Sequence, residues 1–117
     1  MDGLQDCHLA KKTDMFGFKS KSECSPQDVQ FALKDAHCEV IDCRTSGEVK
    51  SGSLPGARVV DWLGGGFQSS VASFDKSKTY YLFCRSGNRS GMAAKWMKEQ
   101  GFQNVHNAGA YSRLSGL

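Results

Sequence analysis

Residues 79–91 read Thr-Tyr-Tyr-Leu-Phe-Cys-Arg-Ser-Gly-Asn-Arg-Ser-Gly, an apolar strand that runs into Cys84 and a short polar loop. A helix-forming run, Met92 to Gln100, follows. A cysteine at a strand–loop–helix junction lies where free backbone N–H groups converge and the positive end of a helix faces it. Those surroundings lower a thiol pKa and produce a thiolate nucleophile at neutral pH. Arg85 and Arg89 add two fixed positive charges beside the sulfur. A single cysteine that ends a strand is ordinarily core packing, but Arg-Ser-Gly-Asn-Arg-Ser is a poor packing sequence. Arg89 at a helix start opposes the macrodipole, which points to an anion resting there.

The elements that must position this loop are legible from pattern and turn chemistry. Ser25-Pro26-Gln27-Asp28 is a helix start, with Ser25 as N-cap, and Val29, Ala32, Leu33 and Ala36 share one face. Residues 39–43 are short and β-branched and predict a buried strand. Residues 44–50 predict a turn and a short helix capped by Thr45 or Ser46, with Gly52 closing it. Leu54-Pro55-Gly56 is a turn before a strand over residues 57–60, and Gly64–Gly66 breaks the chain before a weak helix over 67–74. The strand over 79–83 precedes the active loop. The helix over 91–100 packs Met92 or Ala93 with Trp96 and Met97, and Gly101 follows as its C′ residue. A last strand covers 103–106, followed by Asn107-Ala-Gly-Ala-Tyr111 and a short tail. Strands alternating with helices predict an α/β fold, a central parallel β-sheet flanked by helices on both faces. In such sheets ligands sit at the carboxyl ends of the strands, where Cys84 lies.

The chain has 117 residues, 39% hydrophobic and 23% charged, with a net charge of +3. That length suits one domain, read as 23–117, behind a polar, flexible lead-in at 1–22. The basic residues are scattered, so no nucleic-acid partner is inferred. No segment approaches the roughly 18 apolar residues of a membrane span, so no membrane partner is inferred either. The five cysteines (Cys7, Cys24, Cys38, Cys43, Cys84) contain no C-x2-C pair, and neither a metal nor a cofactor is expected. Reduced thiols suggest a cytoplasmic setting, with a removed leader left open. Cys43 reads as core, Cys24 and Cys38 as helix-end residues, and Cys7 as an incidental exposed thiol. His8, His37 and His106 show no spacing that pairs them with each other or with a cysteine. Trp62 and Trp96 read as core or pocket rim.

Three stretches go further: Val40-Ile-Asp-Cys-Arg44 with Glu48, Gly52-Ser-Leu-Pro-Gly-Ala57, and Leu82-Phe-Cys-Arg-Ser-Gly-Asn-Arg-Ser90 continuing to Gly101-Phe-Gln-Asn-Val105. On these the chain resembles a rhodanese domain, the sulfurtransferase module, over about residues 23–112. It is most similar to the small free-standing thiosulfate sulfurtransferases of the phage-shock protein E type and to the thiosulfate:glutathione sulfurtransferases. The resemblance implies that Cys84 takes sulfur from a small anionic donor such as thiosulfate, releases sulfite, and passes the persulfide sulfur on. The acceptor would be cyanide or a thiol (glutathione, thioredoxin or a protein thiol). It also implies an anion cradle of Arg85, Ser86, Gly87, Asn88 and Arg89, with Ser90 beginning the helix. Two positions depart from the family pattern. Ser53 stands where His is usual, and Gly109-Ala110 with Tyr111 replaces Gly-Gly and a following Trp.

Asp42 and Arg44 end the neighbouring strand and are expected close to the loop, either in a structural network, with Arg44 pairing Glu48, or supporting the site. Two arginines would favour doubly charged thiosulfate over singly charged mercaptopyruvate. The rival enzyme is a Cys-dependent phosphatase or arsenate reductase, whose C-x5-R loop is one residue longer than the C-x4-R of Cys84 to Arg89. The shorter ring suits one terminal sulfur better than a phosphoryl group with three oxygens. The other rival is a non-catalytic rhodanese-like module for sulfur carriage or regulation.

Overall fold

The computed structural model describes residues 23–117; the lead-in and Cys7 and His8 fall outside them. Helix α1 spans Pro26–Ala32 and starts on a reciprocal capping box. The Asp28 amide donates to Ser25 Oγ (3.2 Å) and the Ser25 amide to Asp28 Oδ2 (3.0 Å). It ends at the Leu33 C-cap, short of the expected Ala36, which is exposed. The chain needs those residues to turn into the sheet. Asp35 accepts the His37 amide on its side chain (2.8 Å) and the Cys38 amide on its carbonyl (3.1 Å).

Strand β1 is Cys38–Asp42, helix α2 Ser46–Lys50, strand β2 Arg58–Val59 and helix α3 Phe67–Val71. Strand β3 is Thr79–Cys84, helix α4 Asn88–Glu99, strand β4 Asn104–Ala110 and helix α5 Tyr111–Leu114. The sheet order is β2-β1-β3-β4 and every pairing is parallel, as the alternation of elements predicts. β3 lies inside the sheet with all six residues buried, which explains its unbroken apolar run. One core packs Ile41, Leu82, Phe67, Val71, Ala93 and Met97 between the sheet and helices α3 and α4. The other packs Val29, Ala32, Val40, Phe83, Ala108 and Leu114 under α1 and α5. Helices therefore cover both faces.

Two of the boundary differences matter for the loop. Helix α4 begins at Asn88, not Gly91, so Arg89 and Ser90 belong to its first turn. Its inward residues are Ser90, Ala93, Ala94 and Met97, while Met92 is exposed. Strand β4 continues past His106 to Ala110, because β3 runs out to Cys84 and pairs with it there. The register shifts between Leu82 and Phe83, which pair with Asn107 and Gly109 and leave Ala108 as an extra residue.

Phe67 is fully buried, edge-on to Trp62 (ring centroids 5.0 Å) and to Trp96 (6.1 Å). It joins the chain after β2 to helix α4. Phe67→Ala is expected to lower unfolding free energy by about 3–5 kcal/mol in urea denaturation; a loss below about 1 kcal/mol would show that this aromatic cluster is not part of the core.

Candidate active site

Strand β3 delivers Cys84 to the carboxyl edge of the sheet, and the chain closes back over its sulfur. Gly87 makes the closure with φ of 97°, a left-handed conformation that a side chain would strain. Its amide donates to Cys84 Sγ at 3.0 Å. The first turn of α4 supplies the Ser90 amide and the Ser90 hydroxyl, each 3.4 Å from the sulfur. Cys84 is fully buried, and burial, the largest single influence, raises its pKa. The Ser90 hydroxyl and the amides of Ser90, Gly87 and Ser86 together outweigh burial and bring it below the ordinary thiol value.

Cys43 is the internal control. It follows directly after β1, its amide donating to the Phe83 carbonyl (2.8 Å), and it is equally buried in the same core as Cys84. Burial drives its thiol well up, with the neighbouring Cys84 and Asp42 adding to the rise. Hydrogen-bond donors aimed at the sulfur make the difference.

The site residues expected from sequence divide. Gly87 and Ser90 face the sulfur directly, and the Ser86 amide also favours its charged form. Arg85, Ser86 and Asn88 are exposed around the loop, and the Asn88 amide turns to Ser86 Oγ (3.4 Å). Ser90 is the third residue of α4 rather than its first. Arg89 approaches the sulfur closely enough for electrostatic coupling, but its two terminal nitrogens grip Glu48 Oε1 and Oε2 at 2.8 and 2.9 Å. The expectation of two free cations is thus corrected to one, Arg85, which has no ion pair among the described residues.

The expected Arg44–Glu48 pairing is likewise corrected. Arg44 turns to Asp42, with Nε on Oδ1 (2.9 Å) and Nη2 on Oδ2 (2.8 Å), both residues buried. Asp42 also accepts the Arg44 amide (3.0 Å) and Ser53 Oγ (2.7 Å), so the buried carboxylate meets four N–H or O–H groups. Arg44 Nη2 donates further to the Gly52 carbonyl (2.7 Å), and its guanidinium lies 4.2 Å from the ring centre of Tyr111. The two departures from the family pattern, Ser53 and Tyr111, both land in this bracket. Neither touches Cys84.

Asn107 escaped sequence reading, because it falls just past the expected end of the last strand. In the structure its buried side chain accepts from Ser90 Oγ (2.7 Å) and the Gly109 amide (3.0 Å) and donates to the Gly87 carbonyl (3.0 Å). No local signal in Asn-Ala-Gly identifies the Gly87 and Ser90 partners, which come from the loop and first turn of α4.

A sequence profile described as Rhodanese-like domain matches residues 25–112. "Putative sulfurtransferase YtwF" of Bacillus subtilis (strain 168) is 35% identical over 82 residues, covering 70% of this chain and 78% of that protein. "Putative sulfur carrier protein YrkF" of the same organism is 34% identical over 73 residues, 62% of this chain but 38% of the relative. The solved structure described as "rhodanese with anions from E. coli" superimposes with a TM-score of 0.59 at 26% identity, over 67% of this chain and 92% of that one.

Glu48 ties the loop to α2, and its carboxyl is pushed down to about 2, first by the Arg89 guanidinium and then by the Thr45 amide. Its unfolded value is about 4.3, so the stabilisation is fully present above that pH and is lost as pH falls toward the folded value. The stability gap between wild type and Glu48→Gln, read by urea denaturation, is expected to be full near neutral pH and to close in acid. A gap that does not change with pH would contradict the pairing.

Proposed function

The chain belongs to the rhodanese-like domain family, and on that footing we propose that it is a thiosulfate sulfurtransferase working through a persulfide on Cys84. The observation that carries this reading is the set of N–H and O–H groups closing on one fully buried sulfur. A donor must reach that sulfur with a single narrow atom, as the terminal sulfur of thiosulfate can. The Cys84 thiolate attacks this outer sulfur, the S–S bond of thiosulfate breaks, and its electron pair leaves with sulfite. The new S–S bond leaves the negative charge on the outer persulfide sulfur, within a loop rich in amides. An acceptor thiolate or cyanide then attacks the outer sulfur, and Cys84 departs as thiolate with the bonding pair.

Arg89 serves this scheme by fixing the loop through Glu48, and Arg85 remains to attract the dianion. Preference for a doubly charged donor rests on that single cation and the loop amides. The E. coli rhodanese solved with anions is in keeping with such a cradle. A working thiolate needs a reducing setting, and the proposal includes the cytoplasm as the compartment. The acceptor is cyanide or a low-molecular-weight or protein thiol.

Intact-mass measurement of fully reduced protein after thiosulfate treatment tests the assignment. One sulfur atom should be gained by the wild type and none by Cys84→Ser, with stoichiometric sulfite release. An unmodified wild type, or hydrolysis of an aryl phosphate in its place, would overturn it. Arg85→Ala is expected to raise the KM for thiosulfate about fivefold at low salt, on the scale of about 1 kcal/mol for one exposed charge, with the effect shrinking as salt is added. An unchanged KM would remove Arg85 from donor capture.

A further inference from the structure

Ser90 Oγ has one proton and two acceptors within reach, Asn107 Oδ1 at 2.7 Å and Cys84 Sγ at 3.4 Å. Only one can be served at a time. With Cys84 protonated, the shorter bond to Asn107 holds the proton, since a neutral sulfur is a weak acceptor. When Cys84 is a thiolate, the charged sulfur competes for it. Asn107 can release the proton without being orphaned, because its Oδ1 keeps the Gly109 amide at 3.0 Å. The Asn107 orientation is fixed independently of Ser90. Its Nδ2 donates to the Gly87 carbonyl (3.0 Å), while its backbone pairs with Glu23, the Asn107 amide donating to Glu23 Oε1 (3.1 Å) and its carbonyl accepting the Glu23 amide (2.7 Å). Helix α4 makes room for this amide with Gly91, where a Cβ would stand 3.1 Å from Asn107 Nδ2.

We propose that Asn107 is a positioning residue that governs the Ser90 hydroxyl proton, holding it away from the Cys84 thiol and yielding it to the thiolate. The inference rests on the reading of Cys84 as the reactive sulfur. Asn107 touches neither the sulfur nor a sulfur donor; it acts through Ser90. The reactivity of Cys84 is thereby set from strand β4, on the opposite side of β3 from Cys43.

The test is the pH dependence of Cys84 alkylation by iodoacetamide, located by peptide mass mapping. The titratable and charged groups coupled to Cys84 are Cys43, directly after β1, and Arg89 on α4; Asp42 and Asp61 act on Cys43, Glu48 on α2 and Asp61 act on Arg89, and Arg85 stands exposed next in the chain. None of them is altered in the variants. Asn107→Asp places a stronger, charged acceptor opposite Ser90 and a like charge near the thiolate. Its alkylation profile should move to higher pH by about half a unit, about threefold in the thiolate fraction below the pKa. Asn107→Leu is neutral and close in shape, and leaves sulfur as the remaining acceptor for Ser90. Its profile should move to lower pH, and the fall should vanish when Ser90→Ala is added.

A purely structural Asn107 would loosen the loop in both variants and move both profiles upward, or move neither. Either result overturns the proposal. Should the Asp variant not fold by circular dichroism, Asn107→Leu decides alone: a fall supports the assignment, and a rise or no change overturns it. Opposite shifts in a protein that takes no sulfur from thiosulfate would remove the sulfur-transfer reading and leave Asn107 in its role. Sulfur uptake with unmoved profiles would do the reverse.

Discussion

A buried sulfur ordinarily keeps its proton, and the whole site exists to defeat that tendency at Cys84. The Gly87 amide, the Ser90 amide and the Ser90 hydroxyl converge on the sulfur of a buried residue. In a dry setting each such hydrogen bond is worth more to a charged acceptor than it would be in solvent. Cys43, next along the sheet edge and just as buried, has no such ring and its thiol moves the other way. Two cysteines separated by one strand spacing thus hold opposite chemistries. The backbone conformation of the loop decides which is which.

Holding a ring of amides in place requires that the loop not relax, and two bidentate arginines see to it. Arg89 clamps α4 to Glu48, which is simultaneously the capping partner of Thr45, so the start of α2 and the start of α4 are tied together. Arg44 clamps Asp42 and reaches the Gly52 carbonyl, with Tyr111 stacked on Phe83 beneath it. The positive charges that a sequence reader assigns to the substrate are in large part structural. They place the amides, and the amides hold the sulfur. The exposed Arg85 is the exception.

The same division explains what could be read from the sequence. Backbone preferences are local: Ser25-Pro26 announces α1, the apolar run announces β3, and Gly87 announces the tight turn after Cys84. The parallel sheet and the position of the nucleophile follow from those signals. Partner choice is not local. The sequence reading pairs Arg44 with Glu48, and only the three-dimensional arrangement assigns Arg44 to Asp42 and Glu48 to Arg89. Helix α4 starts three residues early because Gly87 turns the chain directly into it, so Arg89 and Ser90 become helix residues. Asn107 was invisible because its function depends on a strand extended by pairing with Cys84's own strand and on the extra residue Ala108 that shifts the register.

The thiolate held at the end of β3 is the claim on which sulfur transfer depends, and it can be observed without any substrate. Thiolate absorbance in the ultraviolet, titrated in the wild type and in Cys84→Ser, isolates the Cys84 step as the difference between the two curves. The first step in that difference is predicted to have its midpoint below the ordinary thiol value of about 8.5, well separated from Cys43, which burial drives up. A midpoint at or above that value would contradict the account, since burial would then have prevailed over the ring of donors.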